Sequence, residues 1–370
     1  MWSVGCPVLK SNPFLDQWDE YDTLVSGMEF LLPIHLFSQV GQVLVLVLLT
    51  LSCLVGVSGM INLFRPVPVL QRATGVLFIV IMAVFLAGFG WICWFHYQIY
   101  QHLPLELPLQ MAEYLNRQLE VMNRGAEYGL PLYDPSAPPR YVLPLWLENE
   151  KYYFWFLGYT LMALVGHFRL PQARLRATLH VLLALQVIIL YLFANPFVYP
   201  LPRFFGDVTP WFTQELSMGQ KFSFFMRLYP KMNFYYNAEY MWFHPPLLFL
   251  SYACITMTFV TSVFMLIKRD PAIETMGYDY AKLGFFMLTL GMLLGYPWAL
   301  KAWGPNWWWD PKICSSIMMW AIYSTYLHTR LYANKPFMRY FSSILGIVCF
   351  LAMIFTFVSS FFFPGEHTFV

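Results

Sequence analysis

The chain has 370 residues, of which 59% are hydrophobic and only 11% charged, against roughly 25% charged in a soluble domain. That deficit excludes a disordered chain and a soluble globular domain. With 20% aromatic residues and a mean hydropathy of +0.53, it points to a polytopic membrane protein. The net charge of +2 gives no electrostatic ground for nucleic-acid binding.

In chain order, residues 1–33 lack the basic start and apolar core of a cleavable leader and read as an outer N-terminal segment. A hydrocarbon core about 30 Å thick needs roughly 20 apolar residues of helix. Eight stretches qualify, near 36–64, 74–98, 152–168, 177–195, 245–267, 283–300, 314–332 and 340–362. The expected fold class is all-α, a polytopic membrane helical bundle of about eight transmembrane helices with both termini outside. Four spans fall in 34–195 and four in 244–370. Between them, the outer side carries a loop at 99–151, with an amphipathic helix over 107–123 and a breaker-rich stretch at 131–139, and an aromatic loop at 196–243. The aromatics of that loop, among them Phe204, Phe205, Phe225 and Tyr236, suit an interfacial belt or a wall over a flat apolar ligand.

Orientation follows from the short loops. Arg65 and Arg72; Arg169, Arg174 and Arg176; Lys268, Arg269 and Lys282; and Arg330, Lys335 and Arg339 make up eleven of the 22 basic residues. The same loops hold three acids, Asp270, Glu274 and Asp279. By the positive-inside rule these loops are cytoplasmic, or on the equivalent side. None of the six cysteines forms a C-x-x-C pair, so the chain has no zinc, thioredoxin-like or c-type haem-attachment motif.

Between spans six and seven, in 295–312, five Trp occur within twelve residues: Trp298, Trp303, Trp307, Trp308 and Trp309. An interfacial belt explains Trp alone. It does not explain Gly304 between two of them, where glycine permits close backbone approach. Nor does it explain Asp310-Pro311 before an apolar run, where Asp suits the N-cap and Pro the first helical position. The segment reads as a compact aromatic platform fixed to the start of span seven, with indole faces and N–H edges suited to a flat macrocycle.

Here the chain resembles a known family. Trp303, Gly304, Trp307, Trp309 and Asp310, preceded by Gly295, Trp298 and Ala299, are similar to the tryptophan-rich WWD signature of haem-handling proteins. Asp310-Pro311-Lys312 and the later Tyr326-Leu327-His328-Thr329-Arg330 favour the CcsA/ResC type, a subunit of the System II cytochrome c synthase, over the CcmC and CcmF relatives. The resemblance covers about residues 240–370. One departure stands out: the family commonly continues D-P-K-E, whereas Ile313 follows Lys312 here.

Of the eight histidines, His244 lies at the outer start of span five, His367 just beyond span eight, and His328 late in span seven near the basic end. The resemblance implies two outer His ligands to haem iron flanking the Trp segment, matched by His244 and His367, and a third within the membrane, matched by His328. Trp298, Trp303, Gly304, Trp307, Trp308, Trp309 and Asp310 would position the macrocycle. His167 and His180 are 13 apart, but a basic turn separates them; a structural or headgroup role is the default, with partnership to His328 the alternative. His35, His96 and His102 receive no role.

The resemblance further implies haem b, reduced, as substrate, and holocytochrome c synthase (haem lyase) chemistry on an apocytochrome c with a C-x-x-C-H motif. It implies a CcsB/ResB-like membrane partner supplying the missing fourth His. It also implies residence in a bacterial inner membrane or thylakoid-type membrane with the active face outside. Alternatives are a membrane b-type haem electron-transfer subunit, which wants paired His across two helices, or a haem exporter.

Overall fold

The computed structural model describes residues 21, 25–126, 129–170, 172–267, 269–332 and 334–365. It is a bundle of α-helices, with no strand among the described residues. We number them α1 (Ile34–Phe64), α2 (Pro68–His102), α3 (Leu109–Asn123), α4 (Glu150–Arg169), α5 (Ala173–Phe193), α6 (Pro202–Thr213), α7 (Met218–Lys231), α8 (His244–Ile267), α9 (Pro271–Trp303), α10 (Pro311–Arg330) and α11 (Pro336–Phe362). Each of the eight expected spans coincides with one long helix. Six are long and apolar enough to cross a membrane by length and composition. The other two, α4 and α10, have 20 residues each and carry polar ends, Glu150 and Arg169 in one, Lys312 and Arg330 in the other.

The helices pack as two groups. In the first, α1 lies between α2 and α5, and α4 packs on α2 and α5. In the second, α8 lies between α9 and α11, with α10 against α9 and α11. The seam between the groups is α4 against α8. Small residues allow the close approaches, as at Gly284, whose missing side chain makes room for Cys254 and Tyr323.

The basic turns share one end. Arg176 Nη2 donates to Gln71 Oε1 at 2.6 Å, the Gln172 side chain donates to Asp270, and Arg330 pairs with Glu274 at 3.0 Å. Helix α9 begins twelve residues earlier than the expected span, because Asp270 caps it through Ala272 N–H at 2.9 Å and Pro271 occupies its first turn. This is the same Asp-Pro start signal that 310–311 carries. The resulting 33 residues rise roughly 50 Å, well beyond a core of about 30 Å.

At the opposite end, 99–151 and 196–243 form one packed module rather than loops. Phe204, Phe205 and Phe225 are fully buried and Tyr236 nearly so. Tyr141 meets Phe204 edge-to-face at 5.1 Å, and Tyr236 donates to Asp207 Oδ2 at 2.6 Å. These four are core residues of the module and line neither a belt nor a ligand wall, whereas Trp211, Phe212, Phe222, Phe224 and Tyr235 of the same loop are half-buried. Glu148, in a left-handed conformation at φ 45°, accepts the N–H groups of Arg203 at 3.2 Å and Phe204 at 3.1 Å, and so caps α6 from a distant turn.

Candidate functional site

The Trp segment is built by two helix ends. Helix α9 runs through Trp303 and stops at Gly304, whose N–H reaches Leu300 O and whose φ of 73° is left-handed. Nothing lies within 4 Å of where its Cβ would be, so glycine is required here for its backbone conformation and not for close approach. A 3-10 turn, Gly304–Trp309, then leads to Asp310. Asp310 is buried, and its Oδ1 accepts from Lys312 N–H at 2.9 Å and Ile313 N–H at 3.3 Å. It is the N-cap of α10, with Pro311 in the first turn.

This geometry accounts for Ile313. A Glu at the third helical position would reach back to the N-cap's own N–H. In this chain that N–H already donates to Trp307 O at 3.1 Å, closing the 3-10 turn. No backbone donor is left unsatisfied by the apolar side chain.

The five indoles do not form one stack. Trp298 is buried, donates through Nε1 to Phe234 O at 3.0 Å, and meets Trp303 edge-to-face at 4.6 Å. Trp307 stands edge-on to Tyr296 at 5.5 Å. Trp308 and Trp309 stack at 4.2 Å and are exposed, Trp309 at 68%.

His244 joins this group from the start of α8. Its Nδ1 lies 2.6 Å from Gly291 O. A carbonyl only accepts, so the proton is on Nδ1 and Nε2 carries the ring's lone pair. The ring is near-parallel to Trp298, 6.4 Å between centroids and 24° between planes. A methyl group at Gly295 would come within 2.5 Å of it. His367 lies outside the described residues. Gly365, two residues earlier, stands against Asp310: its Cβ would be 2.5 Å from Asp310 Oδ2.

His328 is elsewhere. It lies 18 residues after Asp310, roughly 27 Å along α10, and is exposed on the bundle's flank. Its Nδ1 donates to Ser324 O at 2.8 Å, leaving the lone pair on Nε2. His102 is held the same way by Gln98 O at 3.0 Å, so this tautomer alone does not mark a ligand; its surroundings must.

His167 and His180 do meet, though on different helices. Nδ1 of the first is 2.9 Å from Nε2 of the second. With metal–nitrogen bonds of about 2 Å, two imidazoles on one metal ion keep their ring nitrogens about 3.3 Å apart in a tetrahedral site and about 4 Å apart on opposite faces of a haem. As placed, the pair bonds to itself, not to His328 and not across a haem. His96 has a partner set that its sequence position does not disclose. It is buried, with Nδ1 donating to Leu143 O at 3.0 Å and Nε2 2.8 Å from Glu150 Oε1. Both ring nitrogens are committed, so it is an internal tie between α2 and α4. No residue near it in sequence signals this, because Glu150 is 54 positions away.

Comparison with known proteins gives a consistent family. The model of a family described as Cytochrome C assembly protein matches residues 146–367. The Cytochrome c biogenesis protein CcsA of Cyanidium caldarium is 38% identical over 84 residues, 21% of this chain and 28% of that one. That of Trachelium caeruleum is 38% identical over 96 residues, 26% and 30% of the two chains. That of Piper cenocladum is 45% identical over 74 residues, 20% and 22%. The matched stretches thus span less than a third of these relatives' length. Among solved structures, Cytochrome c Heme Lyase CcmF superposes with a TM-score of 0.58 at 16% identity, covering 89% of this chain and 47% of that one. This likeness is one of fold.

Proposed function

Because the chain belongs to the Cytochrome C assembly protein family, we propose that it is a CcsA-type member and presents haem at its Trp-rich end for thioether attachment to an apocytochrome c. The observation that supports this reading best is His244. Its Nδ1–H is committed to Gly291 O, which puts the ring's lone pair on Nε2, and its ring sits against Gly295 and near-parallel to Trp298. Such a backbone partner on the second nitrogen is the usual support of a metal-ligating imidazole. His367 is proposed as the opposite axial ligand and His328 as an earlier haem station.

Reduced haem b is the substrate and supplies two vinyl groups. Each thiol of a C-x-x-C-H segment adds S–H across one vinyl, so no other atom is consumed. The chain's own part is positioning. Trp298 and Trp303 wall the His244 side, and the exposed Trp308 and Trp309 offer an apolar face. Asp310 anchors that face to α10. The His of the arriving segment would replace one axial His and so loosen the product. The exposed position of His328 on α10 fits a second ligand from a CcsB/ResB-like membrane subunit. The active face is proposed to be the outer one, opposite the basic turns. A b-type electron-transfer subunit finds less support, since the facing pair His167–His180 has no room for a metal between its nitrogens.

The test is co-expression with an apocytochrome c. His244→Ala is expected to lower both haem per inserted protein and covalent cytochrome, with partial recovery on added imidazole. Wild-type yield from that variant removes His244 as a ligand.

A further inference from the structure

At the basic end, where the start of α2 faces the end of α4 and the start of α5, lies a cavity of about 440 Å³ lined by residues including Gln71, Arg72, Val76, Ile79, His167 and Arg176. That volume is in the range of small-molecule sites. Its polar lining consists of donors. Arg176 Nη2 donates to Gln71 Oε1 at 2.6 Å, which engages the amide oxygen and leaves its NH₂ as a donor. Arg72 is exposed, and neither guanidinium takes part in an ion pair among the described residues.

The histidine pair supplies a further donor. Nδ1 of His180 is buried with no partner. An orphaned buried N–H is rarer than an unused acceptor, so the proton of His180 sits on Nε2 and is donated to His167 Nδ1. The proton of His167 is therefore on Nε2, at the cavity wall, where a methyl group on Gly75 would lie 2.8 Å from it. An imidazole set this way donates and does not ligate, the reverse of His244 and His328. Beside these donors, Val76 and Ile79 are 63% and 52% exposed on a helix of membrane-spanning length.

We infer that this cavity holds the phosphate headgroup of an anionic phospholipid, with an acyl chain running along Val76 and Ile79. Guanidinium groups and N–H donors with no carboxylate among them suit a phosphate diester. Basic pockets between membrane helices are a recognised setting for anionic headgroups. The exposed apolar flank gives a lipid a route that a soluble anion does not need. The inference uses none of the residues assigned to haem, so either reading can fail without the other.

The experiment uses the full-length protein in a nonionic detergent, with native mass spectrometry and thermal unfolding as readouts. Phosphatidylglycerol, phosphatidylcholine, inorganic phosphate and haem are separate probes. Phosphatidylglycerol is expected to be retained and to raise the unfolding temperature, and phosphatidylcholine to bind far more weakly. Arg72→Gln should weaken phosphatidylglycerol about fivefold, and the double variant with Arg176→Gln further. Val76→Trp, which fills the cavity from an exposed position, should abolish retention. Unchanged phosphatidylglycerol binding in these variants overturns the proposal. So does inorganic phosphate binding as tightly as the lipid, which would make this a soluble-anion site. Haem binding here in place of the lipid, and lost in the same variants, overturns it as well.

Discussion

A methyl group on Gly295 would lie 2.5 Å from both Cε1 and Nδ1 of His244. Gly295→Ala therefore has to push the imidazole off Gly291 O, although Gly295 itself has no side chain to offer a haem. The variant is expected to insert at normal levels and to lose haem as His244→Ala does, with recovery on added imidazole. Haem content and yield equal to wild type would show that the ring need not be held in this orientation. The same logic of a second nitrogen separates the other histidines. His96 has both nitrogens committed to Leu143 and Glu150, and His167 gives its Nδ1 to His180. Residue type was equal in all these cases; the partner on the far side of the ring was not.

At the scale of elements, the start of α10 is the joint between the Trp segment and the bundle. Loss of the Asp310 cap costs about 0.5–2 kcal/mol, too little to unfold eight packed spans but enough to loosen the 3-10 turn it closes. Asp310→Ala and Trp309→Ala should leave insertion intact while lowering haem content or thioether yield. If both variants keep wild-type haem and yield, the Trp segment is an interfacial belt. A second joint is Glu148, which caps α6 across the module. Burial pushes its carboxyl up to about 7 from an ordinary 4.5, against the lowering effect of the Arg203 and Phe204 N–H groups. The folded state then binds more protons than the unfolded one between those values, so this group's contribution to stability falls as pH rises from about 4.5 to about 7. Glu148→Gln should flatten that part of a melting-temperature profile against pH. A profile with the same slope in the variant assigns it to another group.

For the whole molecule, the four basic turns are tied together at one end, and His244, Trp298 and Asp310 lie at the other end of the same helices. If the basic turns are cytoplasmic, as the positive-inside rule expects, single cysteines at Arg174 and Trp309 should react with a membrane-impermeant thiol reagent from opposite sides. Labelling from the same side would overturn both the orientation and an outer haem site. The seam of α4 against α8 also makes the two groups of spans one body. The family match from 146 to 367 begins just before α4 and crosses that seam, beyond the stretch from about 240 in which the motif itself was recognisable.

The features that the sequence alone determines are local or additive. Apolar run length placed all eight helices, since each span needs only its own residues to satisfy its backbone. Asp310-Pro311 announced a helix start, and the Trp signature pointed to the family, because these patterns lie within a few residues of one another. The boundaries missed had local causes too: Asp270-Pro271 carries the same start signal, and the aromatic stretch 196–243 hid two helices. The partners of the histidines depended on tertiary structure alone. His244 finds Gly291 47 positions away, His96 finds Glu150 54 away, and His167 finds His180 across a turn. Which nitrogen of an imidazole holds its proton depends on what packs against the other one. That contact forms only when distant helices meet, so tertiary structure decides which histidines can ligate and which can only donate.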